Sequence, residues 1–428
     1  MGHKKAATIN QLNLILVWFM LGRNMLQNPH TNTPLLKVLD RLRNAAAQDF
    51  DQACPIPPEV NHSSAFHQHE QQAVFQQEWI CVGREDEIPA PGDFLTHEIA
   101  TVPVLVVRQG DHQIRAFVNA CAHRFACLVP QASGSAKRFT CRYHAWSYDC
   151  AGELLRAPHM EMKPGFDPTQ HRLRGLQHAC WEGFVYVTLA EQPRTQLNDV
   201  LAPLREQVVG RYDMSCYQTL LRETMEWDAN WKNLIENFIE SYHVPVAHGK
   251  TFAQHKKAPA DYICGEDSDH YCYHRAAQAE TTGLGAAHPA NKRLDGEWRR
   301  MMIDFCVFPN HLITLMPDYL WYISVQPLGT DRMRATWGLA VPPEVIAEVS
   351  DADREAYVAE FRRYLIVAND EDKALVEALH RGSSSPLLPQ GTYHPIERNL
   401  WQFMRYLAGR CQSSGCDDAR GGELHCTR

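Results

Sequence analysis

Two short loops constrain this chain of 428 residues more than any other feature. Cys121-Ala122-His123 is followed, after the 17 residues from Arg124 to Thr140, by Cys141-Arg142-Tyr143-His144-Ala145-Trp146. Each loop offers one thiolate and one imidazole. Such a set holds either a single tetrahedral zinc ion or a [2Fe–2S] cluster with both Cys on one iron and both His on the other. One Cys and one His in each loop favours the cluster, because each loop then reaches both irons. The surroundings agree, since they read as short strands and tight turns. Residues 104–118 alternate as a hairpin turning at Gly110-Asp111, with Pro103 at the strand start, where its missing N–H does least harm. Residues 148–155 form a second hairpin turning near Gly152, and residues 183–189 alternate as a strand. Imidazole ligands raise a cluster's potential, which suits it to accept electrons from a carrier.

A second constellation lies downstream. Residues 230–243 contain neither Gly nor Pro, and Leu234, Ile235, Phe238, Ile239 and Tyr242 form an apolar stripe at helical spacing. On that helix Glu240 and His243 are three residues apart and share a face. Pro245 is expected to break the helix, so that His248 returns from the turn beyond. Two imidazoles joined by a carboxylate from elsewhere suit a ferrous ion with open coordination positions.

Taken together, Cys-X-His-Arg, Cys-X-X-His-X-Trp and Asn-Trp-Lys…Glu-Asn…Tyr-His…His resemble the oxygenase component (α subunit) of Rieske non-haem iron oxygenases, in the family's order. The resemblance spans about residues 70–410. It implies that Cys121, His123, Cys141 and His144 ligate the cluster and that His243 and His248 ligate a mononuclear Fe(II). The family's remaining ligand is an Asp on a late helix. The matching segment, Glu371-Asp372-Lys373-Ala374-Leu375-Val376-Glu377 followed by Gly382, points to Asp372, with Asp370 and Glu371 as rivals. Glu240 matches a bridging carboxylate that joins a cluster His of one subunit to an iron-ligand His of the next in a head-to-tail homotrimer. Many members carry Asp there. Glu resembles the branch acting on carnitine and betaines. Asn237 matches a family Asn near the open side of the iron. Asn230-Trp231-Lys232 reads as packing and helix start, and Trp146 as core shielding the cluster. His255, His270, His274, His311 and His380 read as surface or satisfied core. His380 stands where the resembling branch often has Gln.

The implied reaction is reductive activation of O2. Electrons come from NAD(P)H through a separate flavin and iron–sulfur reductase or a ferredoxin. The chain has no Gly-X-Gly-X-X-Gly fingerprint of its own for the nucleotide. The small-molecule substrate is either a quaternary ammonium compound, hydroxylated with C–N cleavage, or an aromatic acid, the role that aromatic hydrocarbon catabolism gives many relatives. A reading from another class is a Rieske electron-transfer protein without oxygenase activity, which would have no use for His243, His248 and Asp372. A quaternary cation needs an aromatic or carboxylate surround. Tyr319, Trp321, Tyr322 and Trp337 lie on expected strands. Tyr319 and Trp321 share a face and Tyr322 does not. Arg332 and Arg334, which an aromatic acid would need, read as turn and surface residues.

The fold class follows as α+β: a small all-β Rieske domain and a larger helix-grip-like domain of antiparallel sheet and helices. The expected divisions are 1–62, an extension with one short helix at 34–48; 63–195, the cluster domain; 196–410, the iron domain; and 411–428, a disordered tail. Further helices are expected at 64–78, 197–212, 351–381 and 395–410, and strands at 302–308, 311–316, 320–327 and 333–340. A net charge of −8 without a basic cluster argues against nucleic acid. Fourteen Cys spread thinly through a chain of this length suit a reducing cytoplasm. The apolar run from Leu14 to Leu21 is shorter than the about 20 residues a bilayer requires. Gly22-Arg23-Asn24 after it offers no signal-peptide cleavage site. A start at Met20 or Met25 is the third possibility, and the leader reads as dispensable.

Overall fold

Antiparallel pairing organises the molecule. The computed structural model describes residues 30–249, 251, 261–278, 285–389 and 391–412. The leader therefore lies outside the described residues, as does the tail beyond Gln412.

The first sheet has the order β1-β10-β9-β4-β3-β2-β5. Its strands are β1 (Ile80–Arg84), β2 (Asp93–Ile99), β3 (Val102–Arg108), β4 (Ile114–Val118), β5 (Ser133–Ser135), β9 (Gly175–Trp181) and β10 (Phe184–Thr188). A smaller sheet carries β6 (Phe139–Thr140), β7 (Ser147–Tyr148) and β8 (Leu154–Arg156) in sequence order. Both expected hairpins are present. Gly152 turns the second at φ +82°, and a Cβ there would meet the Phe117 ring at 2.7 Å, so the position has no room for a side chain.

The second sheet is a continuous antiparallel run, β11-β17-β16-β15-β14-β13-β12. It comprises β11 (Gln218–Trp227), β12 (Ile263–Cys264), β13 (Tyr271–Ala277), β14 (Met301–Val307), β15 (His311–Met316), β16 (Tyr319–Pro327) and β17 (Met333–Val341). Helices flank it: α1 (Leu35–Ala46), α2 (Ser64–Glu70), α3 (Leu197–Gln207), α4 (Trp231–Phe238), α5 (Val244–Ala247), α6 (Arg354–Ser383) and α7 (Arg398–Arg410). The α+β class holds.

Three features fix the iron helix. Asn230 caps α4, its side chain accepting from Lys232 N at 3.1 Å. Lys232 and Glu70 of α2 are both fully buried, with Nζ 2.6 Å from Oε2, and Trp231 Nε1 donates to the other Glu70 oxygen at 3.0 Å. Along α6, Phe361, Leu365, Ala368, Asp372, Val376 and His380 form one buried stripe, so Asp372 faces inward.

The helix expected over 230–243 is shorter. α4 ends at Phe238, Ile239 is a turn, and Glu240 and Ser241 are irregular. Pro245 does not break a helix but sits in the first turn of α5, where its missing N–H has no acceptor to serve. The late helix begins at Arg354 rather than near Ser350, whose hydroxyl accepts from Asp353 N at 3.2 Å in the turn before it. Cys411, where the tail was expected to begin, is buried, and its carbonyl accepts from His69 Nε2 at 2.9 Å.

The two sheets meet through β1 and β10. Asn310 exchanges two hydrogen bonds with the Cys81 backbone, at 3.1 and 3.2 Å. Arg84, fully buried, donates to the carbonyls of Met214 and Tyr217. Such bonds satisfy groups that burial would otherwise leave costly.

Candidate metal centres

The two Cys/His loops are built alike. In the first, Cys121 N donates to Ala126 O (2.9 Å) and Phe125 N donates back to Cys121 O (2.9 Å). In the second, Cys141 N donates to Trp146 O (2.8 Å) and Ala145 N to Cys141 O (3.0 Å). Phe125 and Ala145 both take the left-handed backbone conformation, at φ 63° and 56°. Each loop thus buries its Cys and swings its His outward. The His123 and His144 rings lie 4.6 Å apart. Trp146 stacks on His123 at 4.7 Å with 8° between planes. Tyr148 hydroxyl reaches Cys121 Sγ at 3.3 Å and accepts from Ala122 N at 3.0 Å.

His123 Nδ1 is buried without a hydrogen-bond partner, as an atom reserved for a metal is. Among the described residues, one group brings three ligand atoms within 4.8 Å of one another, and it is not this one. The four Cys/His atoms do not contract onto a single ion. A tetrahedral zinc site requires that contraction, and a two-iron cluster with one residue pair at each end does not.

The group that does contract is His243, His248 and Asp372. Asp372 Oδ1 stands 3.2 Å from His248 Nε2 and 3.6 Å from His243 Nε2, yet makes no well-formed hydrogen bond to either. Two imidazole nitrogens and one carboxylate oxygen aimed at a common point fit a dication. Burial disfavours a charged His243, but Asp372 and Glu240 outweigh it and push its pKa up to about 10. His248 is raised in the same way, and the two imidazoles hold Asp372 below the usual carboxylate range despite its burial. A set this polarised is one in which a metal ion replaces protons.

The far nitrogens are also held. His243 Nδ1 meets Glu240 Oε1, and His248 Nδ1 lies 3.0 Å from Glu371 Oε2. Carboxylate partners of this kind orient a ligating His. Glu371 therefore contacts His248 from behind, and Asp370 is exposed on the outer side of α6. The second oxygen of Glu240 accepts from the backbone N–H groups of Tyr242 and His243. Asn237 Nδ2 is 3.5 Å from His243 Nε2.

The triad opens on a cavity with about 80 Å³ of water-accessible space, enough for several heavy atoms. Its apolar wall includes Phe238, Tyr262, Tyr319 and Trp321. Tyr322 points the other way, its hydroxyl donating to Glu87 at 3.1 Å, and Trp337 is buried outside the cavity lining. Sequence reasoning missed Asp304, Thr314, His274 and Ser241 around this cavity. The one available signal was Asp304 itself, a charged residue in the otherwise apolar strand Met-Met-Ile-Asp-Phe-Cys-Val. His380 is buried and engages Asn233 at 3.2 Å, and His270 and His274 sit at strand β13, His274 against Ser241. His255 lies outside the described residues.

Comparison with known proteins adds the family. Residues 78–170 match the Rieske [2Fe–2S] domain, and residues 215–413 match the ring hydroxylating alpha subunit (catalytic domain). The glycine betaine monooxygenase oxygenase subunit of Pseudomonas aeruginosa is 35% identical over 389 residues, covering 83% of this chain and 89% of that protein. The chain belongs to the Rieske non-haem iron oxygenases. It is an oxygenase component with a Rieske cluster and a mononuclear iron, which sets aside the electron-transfer reading. Choline monooxygenase of Spinacia oleracea is 28% identical over 372 residues, covering 82% of this chain and 79% of that one. The fold is shared with the quaternary ammonium Rieske monooxygenase CntA (TM-score 0.73, 23% identity, 89% of this chain and 99% of that one). It is shared equally with naphthalene 1,2-dioxygenase of Rhodococcus (TM-score 0.76, 20% identity, the same coverage). No helix among the described residues is long and apolar enough to cross a membrane.

Proposed function

We propose that this Rieske oxygenase hydroxylates a small quaternary ammonium compound on a carbon beside nitrogen, so that C–N cleavage follows. The observation that carries the reading is the cavity in front of the triad. It has aromatic walls and the carboxylates of Glu240, Asp304 and Asp372, and its described lining residues include no Lys or Arg. Such a cavity attracts a cation through its π faces and negative charge. An aromatic acid would call for a basic partner.

In this reading Cys121, His123, Cys141 and His144 hold the cluster, and His243, His248 and Asp372 hold the iron. The metal supplies O2 activation when bound. The chain's own groups do the rest. Glu240 keeps His243 in one tautomer and reaches a cluster His of the neighbouring subunit in a homotrimer. Glu371 does the same for His248 from within the chain. Asn237 stands beside the open side of the site, and Phe238 and Trp321 exclude water from the substrate. A flavin and iron–sulfur reductase or ferredoxin, drawing on NAD(P)H, supplies electrons in the cytoplasm. The divisions at 62, 195 and 410 belong to the same reading.

The test is electron paramagnetic resonance of the ferrous–nitric oxide adduct, in which nitric oxide stands in for O2. Choline, glycine betaine or carnitine is expected to perturb the signal. Perturbation by aromatic acids and not by these cations would overturn the substrate class.

A further inference from the structure

We propose that Asp304 is the specificity-determining residue for the substrate's positive charge. The inference rests on the quaternary ammonium reading and names the group that enforces it.

Asp304 belongs to a single rung that crosses four strands. His274 on β13 pairs with Asp304 on β14, Asp304 with Thr314 on β15, and Thr314 with Trp321 on β16. Residues opposite one another on neighbouring strands point to the same face, and three of these four, Asp304, Thr314 and Trp321, line the cavity. The rung therefore sets a carboxylate and an indole side by side, separated by one hydroxyl. The neighbouring residues agree in facing, since Met302 on β14 and Tyr319 on β16, two positions away, also line the cavity.

The carboxylate is held by a hydroxyl and an imidazole. Thr314 Oγ1 donates to Asp304 Oδ1 at 2.5 Å, and His274 Nε2 lies 3.2 Å from Asp304 Oδ2. Asn399 Nδ2 donates to the Ile239 carbonyl at 3.0 Å, which fixes the amide's orientation, and the same nitrogen faces His274 Nδ1 at 3.4 Å. Nδ1 thus faces an amide donor. Ser241 Oγ lies 2.6 Å from Nε2.

No Lys or Arg among the described residues pairs with Asp304. The carboxylate is therefore hydrogen-bonded without a fixed Lys or Arg cation beside it. A carboxylate partly withdrawn from water is stabilised further when a counter-charge arrives. Glu240 and Asp372 differ, because their charges face the imidazoles of His243 and His248. A trimethylammonium group meets the requirement without needing a hydrogen bond. It can rest against the Asp304 carboxylate while the Trp321 and Tyr319 rings cover its methyl groups. A neutral molecule of the same shape gains only the aromatic contact.

The test uses the metal-loaded full chain, its ferrous–nitric oxide spectrum and two probes: choline and its uncharged carbon isostere, in which carbon replaces the ammonium nitrogen. In the wild type, choline is expected to perturb the spectrum at a concentration at least about tenfold lower than the isostere. In Asp304→Asn the choline titration is expected to weaken by about tenfold or more while the isostere's does not move. Thr314→Val, which removes the donor but keeps the charge, is expected to weaken choline by less. Equal concentrations of both probes in the wild type would overturn the inference without any variant. So would an Asp304→Asn protein that retains its cluster spectrum and binds choline as the wild type does. A wild type that responds to no quaternary cation, choline or glycine betaine, would instead overturn the substrate reading beneath it.

Discussion

Glu371 Oε2 lies 3.0 Å from His248 Nδ1 and 2.6 Å from Thr251 Oγ1, directly behind the imidazole whose Nε2 faces Asp372. Adjacent carboxylates on α6 thus take different tasks: Asp372 points at the metal position and Glu371 holds the ring that shares it. Removing an outer partner of a ligating His lowers metal affinity by about 10–100-fold. Glu371→Ala is expected to lose iron by that factor in a chelator competition, with the cluster's visible absorption unchanged. Asp372→Ala is expected to abolish iron binding altogether. Equal losses in the two variants would make Glu371 a ligand rather than a support.

Much of this was legible beforehand because metal chemistry restricts residue types and spacings so tightly. The loops at 121–123 and 141–144, the pair His243 and His248, and the alternation of β16 all appear in the sequence as they appear in space. Glu371 was visible only as a rival to Asp372. Adjacent residues on a helix diverge by about 100°, and which one faces inward depends on the stripe that α6 buries, Phe361 through His380. Asp304 and Thr314 were illegible for a different reason. Their meeting is set by the register of β14 on β15, and pairing across strands leaves no mark in local periodicity. The early end of α4 at Phe238 has a local cause instead. The apolar stripe continues through Tyr242, but the Glu240 side chain takes the N–H groups of Tyr242 and His243, and a side chain that competes for backbone donors ends a helix.

Glu240 holds His243 Nδ1, and about 10% of its side chain remains exposed beyond it. In the proposed bridge to the next subunit its charge and its acceptor oxygens are both used. Glu240→Gln is expected to keep both metals and the proposed trimer, since shape is preserved, and to slow single-turnover oxidation of the pre-reduced cluster by at least about tenfold. Stopped-flow absorbance of the cluster reads that rate. An unchanged rate would remove the bridge and leave Glu240 as a support for His243 alone.

The buried pair of Lys232 and Glu70 predicts a stability effect distant from the chemistry. Both side chains are fully buried, and Glu70 also accepts from Trp231. Burial works against the Glu70 charge, but Lys232 and His67 hold its pKa below the ordinary value. Removing one member leaves the other charge uncompensated, at a cost of about 3–5 kcal/mol. Lys232→Met is expected to lose that much in chemical denaturation, because Glu70 stays behind. The double variant Lys232→Met with Glu70→Leu is expected to recover a large part of it. Additive losses in the double variant would show that the two do not act as a pair.

His311 links the two sheets and gives the molecule an acid-sensitive joint. It is fully buried, with Nδ1 2.5 Å from the Tyr186 hydroxyl and the Phe184 ring centroid 4.3 Å from its own. Nε2 is buried without a hydrogen-bond partner. Burial first, and the Arg84 charge second, lower its pKa from the ordinary 6.5 to about 3. The folded state thus keeps this ring neutral while the unfolded chain protonates it near pH 6.5. The unfolded state binds the extra proton, so stability is full above that value and falls as the pH drops through the window down to about 3. The loss is about 1.4 kcal/mol per pH unit, or about 2 kcal/mol between about pH 7 and about pH 5. His311→Gln keeps an acceptor for Tyr186 and cannot titrate. It is expected to be less stable than the wild type near neutrality, because the ring's packing against Phe184 is lost, yet to lose about 2 kcal/mol less on going to pH 5. Denaturation midpoints at the two pH values measure the difference. Parallel losses in both proteins would place the acid sensitivity elsewhere, with His62, lowered to about 3 by burial and by His380, as the next group to substitute.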